Sequence, residues 1–443
     1  MKKIITIIII AIIGVGGTLL YFHLNKDSDP NKKGNQPLVD NSKYVITNPY
    51  ADVNWETVGK YKAALHVHTT NSTLPPGLFD TSDGWGADKV IEDHYTKGYD
   101  ILGLSDHNYV TPNWSSITNG LTKAREQEIM SGVGRDGKPM YQVPFGIEQT
   151  QSQNINSFFA NYVTEDYATQ RYNQGLKPIE TFENMLKVID SVEKQGGISF
   201  LAHVGRYTGG MTSMASGEKA SNDPTNIKKY SDIFRTYSSC IGMEIIHRLD
   251  TKTFSDRILW DNILMQTMPE GISVWGFAND DRHIYSEVGW AYNVMLLDND
   301  EMKVNGTKGL YATNGQDIYN ESLKNPIRQS MESGAFYAVS IVDRRVGIND
   351  HIKTDQEKKY QDLTKNAMPT ITNIVINTYE DEITIEGTNY DRIEWIADGI
   401  KIAEGNTINL KDYATQINSY IRAQLIKEDV GIAFTQPFGI KAK

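Results

Sequence analysis

The chain has 443 residues, of which 39% are hydrophobic and 22% are charged, and these proportions are typical of a globular protein with more than one domain. The net charge of −11 argues against generic binding to nucleic acid or to an anionic membrane surface, and we predict no specific nucleic-acid partner. The single cysteine, Cys240, excludes an intrachain disulfide and a zinc-finger spacing.

The N-terminus contains an apolar run, residues 4–22, that has no charged residue and follows two lysines. A helix of this length, at about 1.5 Å per residue, spans the hydrocarbon core of a bilayer. We therefore predict a transmembrane signal anchor over residues 1–23, with the catalytic part on the outer side of the cell membrane. Cleavage of this segment, which would give a secreted protein, is the alternative. Residues 24–50 are polar and are predicted to form a flexible stalk.

Strand and helix patterns alternate from Tyr44 onward. Apolar strand patterns cover 61–69, 100–108, 198–205, 241–247 and 272–283, and helical patterns cover 86–99, 181–197 and 256–271. This alternation predicts repeated strand–helix–strand units, and hence a parallel barrel or a doubly wound sheet. In both architectures the functional residues gather at the carboxyl ends of the strands.

Histidines and carboxylates occur at those strand ends. His66 and His68 are two residues apart, so on a strand both imidazoles face the same side, although a pair of solvated histidines would show the same spacing. The other strand ends carry Asp106, His107, His203, Glu244, Asp281 and His283. Imidazole and carboxylate together suit divalent ions such as Zn, Mn or Fe, and a set this large indicates more than one ion.

The ordered motifs LHVHTT, TSDGWG, GYDILGLSDHN, GIEQT, LAHVGRY and ANDDRH resemble those of the polymerase and histidinol phosphatase (PHP) superfamily of metal-dependent hydrolases. The resemblance covers about residues 61–290. It implies an α/β fold, a distorted (β/α)7 barrel, with two or three divalent metal ions per chain in its mouth. The metal ligands that it implies are His66, His68, Asp83, His107, Glu148, His203, Asp281 and His283, with Glu148 bridging two ions.

Some of these residues have alternative interpretations. Asp83 follows an insertion and could instead cap the next helix. Asp106 is expected to orient a ligand rather than to bind metal. Many members of the superfamily have a further histidine between the residues that correspond to Glu148 and His203, and this chain has none there. His247 could replace that histidine, but Glu244 and His247 could equally form a surface pair.

The predicted chemistry is hydrolysis by a water that the metal ions activate. The residues expected to act in catalysis are Glu148 and Asp281, with Arg206 and Arg282 as clamps for an anionic substrate. For each arginine, a structural salt bridge is the alternative.

The C-terminal part has a different pattern. We predict that residues 51–350 form the metallohydrolase barrel, 351–369 a charged linker, and 370–443 a small Ig-like β-sandwich, because apolar and polar residues alternate there between turn signals. The ending "SYIRAQLIKEDVGIAFTQPFGI" resembles the last strands of modules that follow this barrel in one branch of the superfamily, which includes carbamate ester hydrolases.

Two classes of function therefore remain. The preferred one is a membrane-anchored phosphoesterase that acts on an anionic small-molecule or polymer ester, with hydrolysis of a carbamate or another ester as the competing chemistry. The second is a surface binding protein in which the metal is structural. The two differ in whether the metal site keeps a position for water. The sequence does not reveal the substrate or the oligomeric state.

Overall fold

The computed structural model describes residues 41–72, 83–150, 153–161, 181–208, 214–247, 252–313, 315–341 and 367–443. The predicted anchor, most of the predicted stalk and most of the predicted linker lie outside these ranges. Among the described residues, no helix combines the length and the apolar character needed to cross a membrane. The predicted domain boundaries stay a prediction.

The helices of the described ranges are short to medium in length. They are α1 (Ala87–Thr96), α2 (Lys123–Met130), α3 (Phe182–Lys194), α4 (Met214–Ser221), α5 (Pro224–Thr236), α6 (Lys252–Thr267), α7 (Asn299–Asn305), α8 (Gly315–Ser322) and α9 (Pro326–Ser333).

The described strands are more numerous. They are β1 (Tyr44–Thr47), β2 (Val58–Ala64), β3 (Ile101–Leu102), β4 (Tyr141–Gln142), β5 (Ile147–Gln149), β6 (Ile155–Phe158), β7 (Ile198–Leu201), β8 (Cys240–His247), β9 (Trp275–Asn279), β10 (Ala291–Asp298), β11 (Phe336–Ser340), β12 (Thr370–Asn377), β13 (Glu382–Thr388), β14 (Arg392–Ala397), β15 (Ile400–Glu404), β16 (Thr407–Asn409), β17 (Tyr420–Lys427), β18 (Gly431–Phe434) and β19 (Phe438–Ala442).

Local sequence explains where these elements begin and which face they bury. Helix α3 starts after Thr181, whose side chain accepts a hydrogen bond from the backbone N–H of Asn184. Its buried residues recur at intervals of three and four, as one helix face requires: Met185, Val188, Ile189 and Val192. Strand β8 is buried over its whole length, as expected for a strand with neighbours on both sides and cover on both faces.

The strands form three sheets. An eleven-stranded sheet has the order β1-β19-β17-β18-β11-β10-β2-β3-β4, with β14 paired to β17 and β15 paired to β14. A five-stranded sheet has the order β5-β6-β7-β8-β9, and β12, β13 and β16 form a three-stranded sheet. The two larger sheets approach each other at the candidate site, where isolated bridges join Val67 to Arg282 and His107 to Glu148.

The predicted (β/α)7 barrel is therefore wrong. Parallel pairing occurs between β2, β3 and β4 and between β7, β8 and β9, but β6 is antiparallel to both of its neighbours and β10 is antiparallel to β2 and β11. The connection between β5 and β6 is too short to hold the crossover helix that parallel pairing needs. The result is a mixed α/β fold with separate sheets.

The predicted separate β-sandwich is also wrong as an architecture. The strands predicted after residue 370 are present, but β14, β15, β17, β18 and β19 belong to the same sheet as β2 and β10, through the antiparallel pairing of β18 with β11. Only β12, β13 and β16 form a sheet of their own among the described residues. The apolar residues of the two C-terminal sheets share one core, which includes Trp395 and Leu425.

Two polar contacts fasten the C-terminal strands to the rest of the fold. Arg422 of β17 donates two hydrogen bonds to the carboxylate of Asp261 on α6, at 2.8 and 2.7 Å, and Tyr420 donates to the same carboxylate at 2.6 Å. Gln436 bonds through its side-chain amide to both the N–H and the C=O of Gly276 in β9. The short motifs YIR and TQP thus provide docking contacts.

Candidate metal site

The segment after β2 carries the first two histidines into the interior. His66 and His68 are both fully buried, and so are Leu65 and Val67 between and beside them, which pack in the hydrophobic cores. Two backbone hydrogen bonds join this segment to Arg282. The N–H of His68 donates to the carbonyl of Arg282 at 2.9 Å, and the N–H of Arg282 donates to the carbonyl of His66 at 3.3 Å. The histidine pair is thereby held beside the segment that carries Asp281 and His283.

Glu148 lies at the centre of the cluster. It is fully buried on β5, and four histidines surround its carboxylate. Oε1 lies 2.9 Å from His203 Nε2 and 3.4 Å from His66 Nε2. Oε2 lies 2.7 Å from His107 Nδ1 and 3.3 Å from His68 Nε2. A carboxylate whose two oxygens face different histidines can bridge two metal ions, which is the role that the motif resemblance implies for Glu148.

Asp281 is the second central carboxylate. Its Oδ1 lies 3.2 Å from His66 Nε2, 3.0 Å from His68 Nε2 and 3.4 Å from His283 Nδ1. Its Oδ2 lies 2.6 Å from His247 Nε2. The two carboxylates therefore approach the His66–His68 pair together, and every side chain in this group is at most 11% exposed.

Three overlapping groups of these side chains can hold metal ions, because their ligand atoms lie within 4.8 Å of one another. The groups are His68, His107 and His283; His66, His203 and Asp281; and His66, His68 and Glu148. The identity and the number of the ions are not fixed by this geometry.

The buried nitrogens of the histidine pair fit a metal ion. His66 Nε2 and His68 Nε2 are buried and make no hydrogen bond to any residue in the described part of the chain. Leaving a buried polar atom unsatisfied costs about 1–3 kcal/mol. A cation between these nitrogens and the carboxylates of Glu148 and Asp281 would satisfy all four side chains, so the donor set fits divalent ions that accept imidazole and carboxylate.

The pKa of His66 lies well above its ordinary value. Burial lowers this pKa, but the carboxylates of Glu244, Asp281 and Glu148 raise it by more. Burial also raises the pKa of Glu148, while His66, His107 and the hydrogen bonds from His107 and His203 lower it to well below its usual range. Without metal, a proton on His66 therefore balances part of the buried negative charge.

Two other histidines are neutral at physiological pH, which is the form that binds metal. Burial, followed by the charges of His107 and His283, holds the pKa of His68 well below its ordinary value. Burial, followed by the charge of Arg206, lowers the pKa of His203 to about 3.

Asp106 supports the first histidine segment from behind. Its carboxylate accepts hydrogen bonds from the backbone N–H and the hydroxyl of Thr69, at 2.5 and 2.8 Å, and from the hydroxyl of Ser72 at 2.9 Å. The same hydroxyl lies 3.3 Å from His68 Nδ1. These contacts link Asp106 to His68 through Ser72, and the role of Asp106 in orienting a metal ligand stays a prediction.

Asp280, beside Asp281, faces away from the cluster. Its carboxylate accepts hydrogen bonds from the backbone N–H groups of Gly289, Trp290 and Ala291, at 2.6 to 2.9 Å. Burial raises its pKa to about 7. Asp280 thus holds the turn that leads into β10.

Asp83 and Arg282 pair with each other beside the cluster. Arg282 Nη2 donates to Asp83 Oδ2 at 2.7 Å, and Arg282 Nη1 donates to the carbonyl of His68 at 3.1 Å. Asp83 belongs to none of the three metal-binding groups, and Gly86 rather than Asp83 is the N-cap of α1. Arg282 is fully buried, so the salt-bridge interpretation describes its position better than a substrate clamp does.

Arg206 has a different environment. It lies in a short 3-10 turn after β7, and its side chain is 32% exposed. Its Nη2 lies 3.6 Å from Asp281 Oδ2. The guanidinium therefore sits at the exposed border of the cluster, where it can contact a bound anion.

Two site residues have left-handed backbone conformations, which residues other than glycine rarely adopt. The φ angles are 32° for His203 and 47° for Asp281. Such conformations cost about 1–3 kcal/mol each and concentrate at functional sites. The strain therefore marks the same two chain segments that the side-chain geometry does.

The sequence left Glu244 and His247 open, and the structure places both in the cluster. Both side chains are fully buried, which excludes a surface pair. Asn154, which donates to Glu148 Oε1 at 2.9 Å, and Asn279, which donates to Glu244 Oε1 at 3.0 Å, were not anticipated. Their only signal was a polar residue within or beside an apolar strand pattern.

Comparisons with known proteins add little to this geometry. No family model matches the chain, and no curated protein matches it. One solved structure that matches is the novel lesion-specific endonuclease PfuEndoQ from Pyrococcus furiosus, with 14% identity and a TM-score of 0.30. The match covers 54% of this chain and 53% of that one, so the chain spans about half the length of that structure. A similarity this weak carries no argument.

The class of the site follows from its own residues. Several buried groups of histidine, aspartate and glutamate can hold metal ions.

Proposed function

We propose that this chain is a metal-dependent hydrolase of the PHP type that cleaves a phosphoester. One observation carries the proposal: His66, His68, Glu148 and Asp281 meet in the interior with two imidazole nitrogens that lack hydrogen bonds to the described residues. A buried charge cluster of this kind is costly unless cations occupy it. We further propose two or three divalent ions, of Zn, Mn or Fe, per chain.

Divalent ions in this site would supply positive charge that activates a water molecule and stabilises an anionic transition state. The chain contributes the arrangement around them. Glu148 and Asp281 hold the histidines in one place, and the neutral His68 and His203 are ready to bind without losing a proton. Burial of the cluster excludes bulk water from all but its exposed border.

The position of Arg206 favours an anionic substrate over a neutral one. Guanidinium pairs with phosphate through two parallel hydrogen bonds, and Arg206 is the partly exposed cation next to Asp281. Carbamate or another uncharged ester is the competing substrate class. Because uncharged esters gain less from a guanidinium, Arg206→Ala should raise KM for a phosphomonoester by about 10–100-fold and leave KM for a neutral ester nearly unchanged. Equal effects on both substrates would remove the support for a phosphoester.

The direct test of metal-dependent hydrolysis uses His68→Ala and a matched control. His94 is also fully buried, but it lies on α1 outside the cluster, and its Nδ1 lies 2.8 Å from the carbonyl of Val90. We expect His68→Ala to lose hydrolysis of aryl phosphates and aryl esters and part of its bound metal, while His94→Asn keeps both. Elemental analysis and a substrate screen with each metal measure this.

Two outcomes would contradict the proposal. Full hydrolysis by His68→Ala would show that the cluster is not the catalytic site. A wild-type chain that binds metal tightly and hydrolyses no ester would favour a surface binding protein with a structural metal.

The location outside the cytoplasm, by membrane attachment or by secretion, stays a prediction from residues 4–22, outside the described ranges.

A further inference from the structure

Glu244 lies in the candidate metal site but belongs to none of the three groups that can hold ions. Both of its oxygens already have partners. Oε1 lies 2.7 Å from His66 Nδ1 and accepts a hydrogen bond from Asn279 at 3.0 Å, and Oε2 accepts from the backbone N–H of His203 at 2.9 Å. We propose that Glu244 is a positioning residue that aims His66 and His203 at the metal ions. This inference rests on the proposed function.

The contact with His66 determines which nitrogen can bind metal. A neutral imidazole carries one N–H, and the ionised carboxylate of Glu244 keeps that proton on Nδ1. The lone pair of Nε2 then points toward Glu148 and Asp281, which lie 3.4 and 3.2 Å away. A carboxylate that accepts from a ligand histidine in this way fixes the ring and increases its basicity.

The contact with His203 acts on the backbone. His203 has a left-handed conformation, with φ of 32° and ψ of 54°, that a residue with a side chain rarely adopts. The hydrogen bond from its N–H to Glu244 Oε2 holds this conformation. Glu244 therefore supports two ligands at once, one through the imidazole and one through the main chain.

An irregularity in β8 explains how Glu244 reaches this position. Residues three apart on a regular strand face opposite sides, so Glu244 and His247 should not both point into the site. The pairing of β8 with β9 shifts register between Glu244 and Ile246. This bulge turns the strand, so that Glu244 contacts His66 while His247 contacts Asp281.

The first test measures metal affinity in the full-length chain. We expect Glu244→Ala to weaken Mn²⁺ or Zn²⁺ binding by about 10–100-fold in calorimetric titrations, as is typical when a partner of a ligand histidine is removed. Glu244→Gln has one carbonyl oxygen in place of two carboxylate oxygens. This oxygen can accept from His66, but it cannot also accept from the backbone N–H of His203. We therefore expect an intermediate loss of metal affinity.

The second test observes the tautomer of His66 directly. In chains labelled with ¹⁵N-histidine, long-range proton–nitrogen spectra of the metal-bound protein should show His66 protonated only at Nδ1 in wild type and in Glu244→Gln. Glu244→Ala should show a second His66 tautomer, protonated at Nε2, from rings that have released the metal. His94→Asn is the matched control, because His94 is a fully buried histidine outside the cluster, and the His66 tautomer should stay as in wild type.

The outcomes separate this inference from the proposed function. Wild-type affinity in both Glu244→Ala and Glu244→Gln, or an unchanged His66 tautomer in Glu244→Ala, would overturn the positioning role and leave the hydrolase proposal intact. If Glu244→Ala does not fold, wild-type affinity in Glu244→Gln alone overturns it. A wild-type chain that binds no metal would instead contradict the proposed function.

Discussion

Two buried polar clusters of this molecule differ in how completely their atoms are paired. Between α6 and β17, the carboxylate of Asp261 accepts from Arg422 and Tyr420, and the hydroxyl of Tyr420 also accepts from the N–H of Gly399. None of those three side chains has a buried polar atom without a hydrogen bond within the described ranges. In the candidate metal site, by contrast, His66 and His68 each have one.

In these two clusters, the difference in pairing accompanies the histidines that can hold metal ions. Both clusters place charge where water is excluded, which is tolerable only if the charges are paired. The α6–β17 cluster is complete in the protein alone and needs no further component. In the candidate metal site, the two Nε2 atoms are left for a metal ion, which would displace the proton of His66 and accept the lone pair of His68. Burial and charge alone would not distinguish the two clusters.

The largest expected effect comes from breaking the complete cluster. Arg422→Ala leaves the carboxylate of Asp261 buried without its main partner, and this should lower the free energy of unfolding by about 3–5 kcal/mol. Tyr420→Phe removes two hydrogen bonds, one to Asp261 and one from the N–H of Gly399, and should cost about 1–3 kcal/mol. Denaturant titrations measure both values. The metal content of the folded fraction should not change, and a loss of metal in Arg422→Ala would show that the two clusters are coupled.

Glu148→Gln and Glu126→Gln compare two buried glutamates. Glu148 lies in the candidate metal site, and Glu126 lies outside it with hydroxyl and backbone partners. Glu126 accepts from the N–H and hydroxyl of Ser115 and from the hydroxyl of Tyr311, away from the histidines. We expect Glu148→Gln to lose metal and to lower kcat by more than about 100-fold, because the variant lacks the bridging charge. Glu126→Gln should change stability only. Similar metal content in the two variants would contradict the bridging role.

The smallest expected effect is the release of a proton from His66 when metal binds. The pKa of His66 in the metal-free fold is raised, so this proton stabilises the metal-free fold at low pH, and the stabilisation is lost as the pH rises through that pKa. Metal displaces the proton, so binding at pH 7 should release about one proton per chain and strengthen as the pH rises. Calorimetry in buffers of different ionisation enthalpy measures the release. A binding enthalpy that is independent of the buffer would contradict it.

The sequence predicted the local elements well. Helices α1, α3 and α6 and strands β8 and β9 lie where the apolar periodicity placed them, because that periodicity is set by residues close together in the chain. The predicted closed barrel was wrong because strand direction depends on distant partners. The pairing of β10 with β2, and of β18 with β11, joins segments far apart in sequence that no local pattern links.

The site was predictable to the extent that its residues end strands. His66, His68 and Asp281 were placed by this rule and Glu148 by the motif resemblance. The structure brings the four together, although their role as ligands stays a prediction. The role of Glu244 could not be predicted, because it depends on the bulge in β8.

Asp83 was also beyond prediction from sequence. Its position depends on Arg282, which lies about two hundred residues later in the chain and takes up its carboxylate. A spacing rule places a residue near a motif, but it does not reveal which partner the side chain takes.

We propose that at least two of the divalent ions bind between these histidines and share Glu148. The most direct measurement is anomalous diffraction from crystals of the metal-loaded protein, collected at the absorption edges of Zn, Mn and Fe. We predict two peaks at about 2.0–2.2 Å from the ligand atoms, one near His66 and one near His68, with one oxygen of Glu148 toward each. Metal peaks that occur only on the surface, with none inside this cluster, would contradict the account.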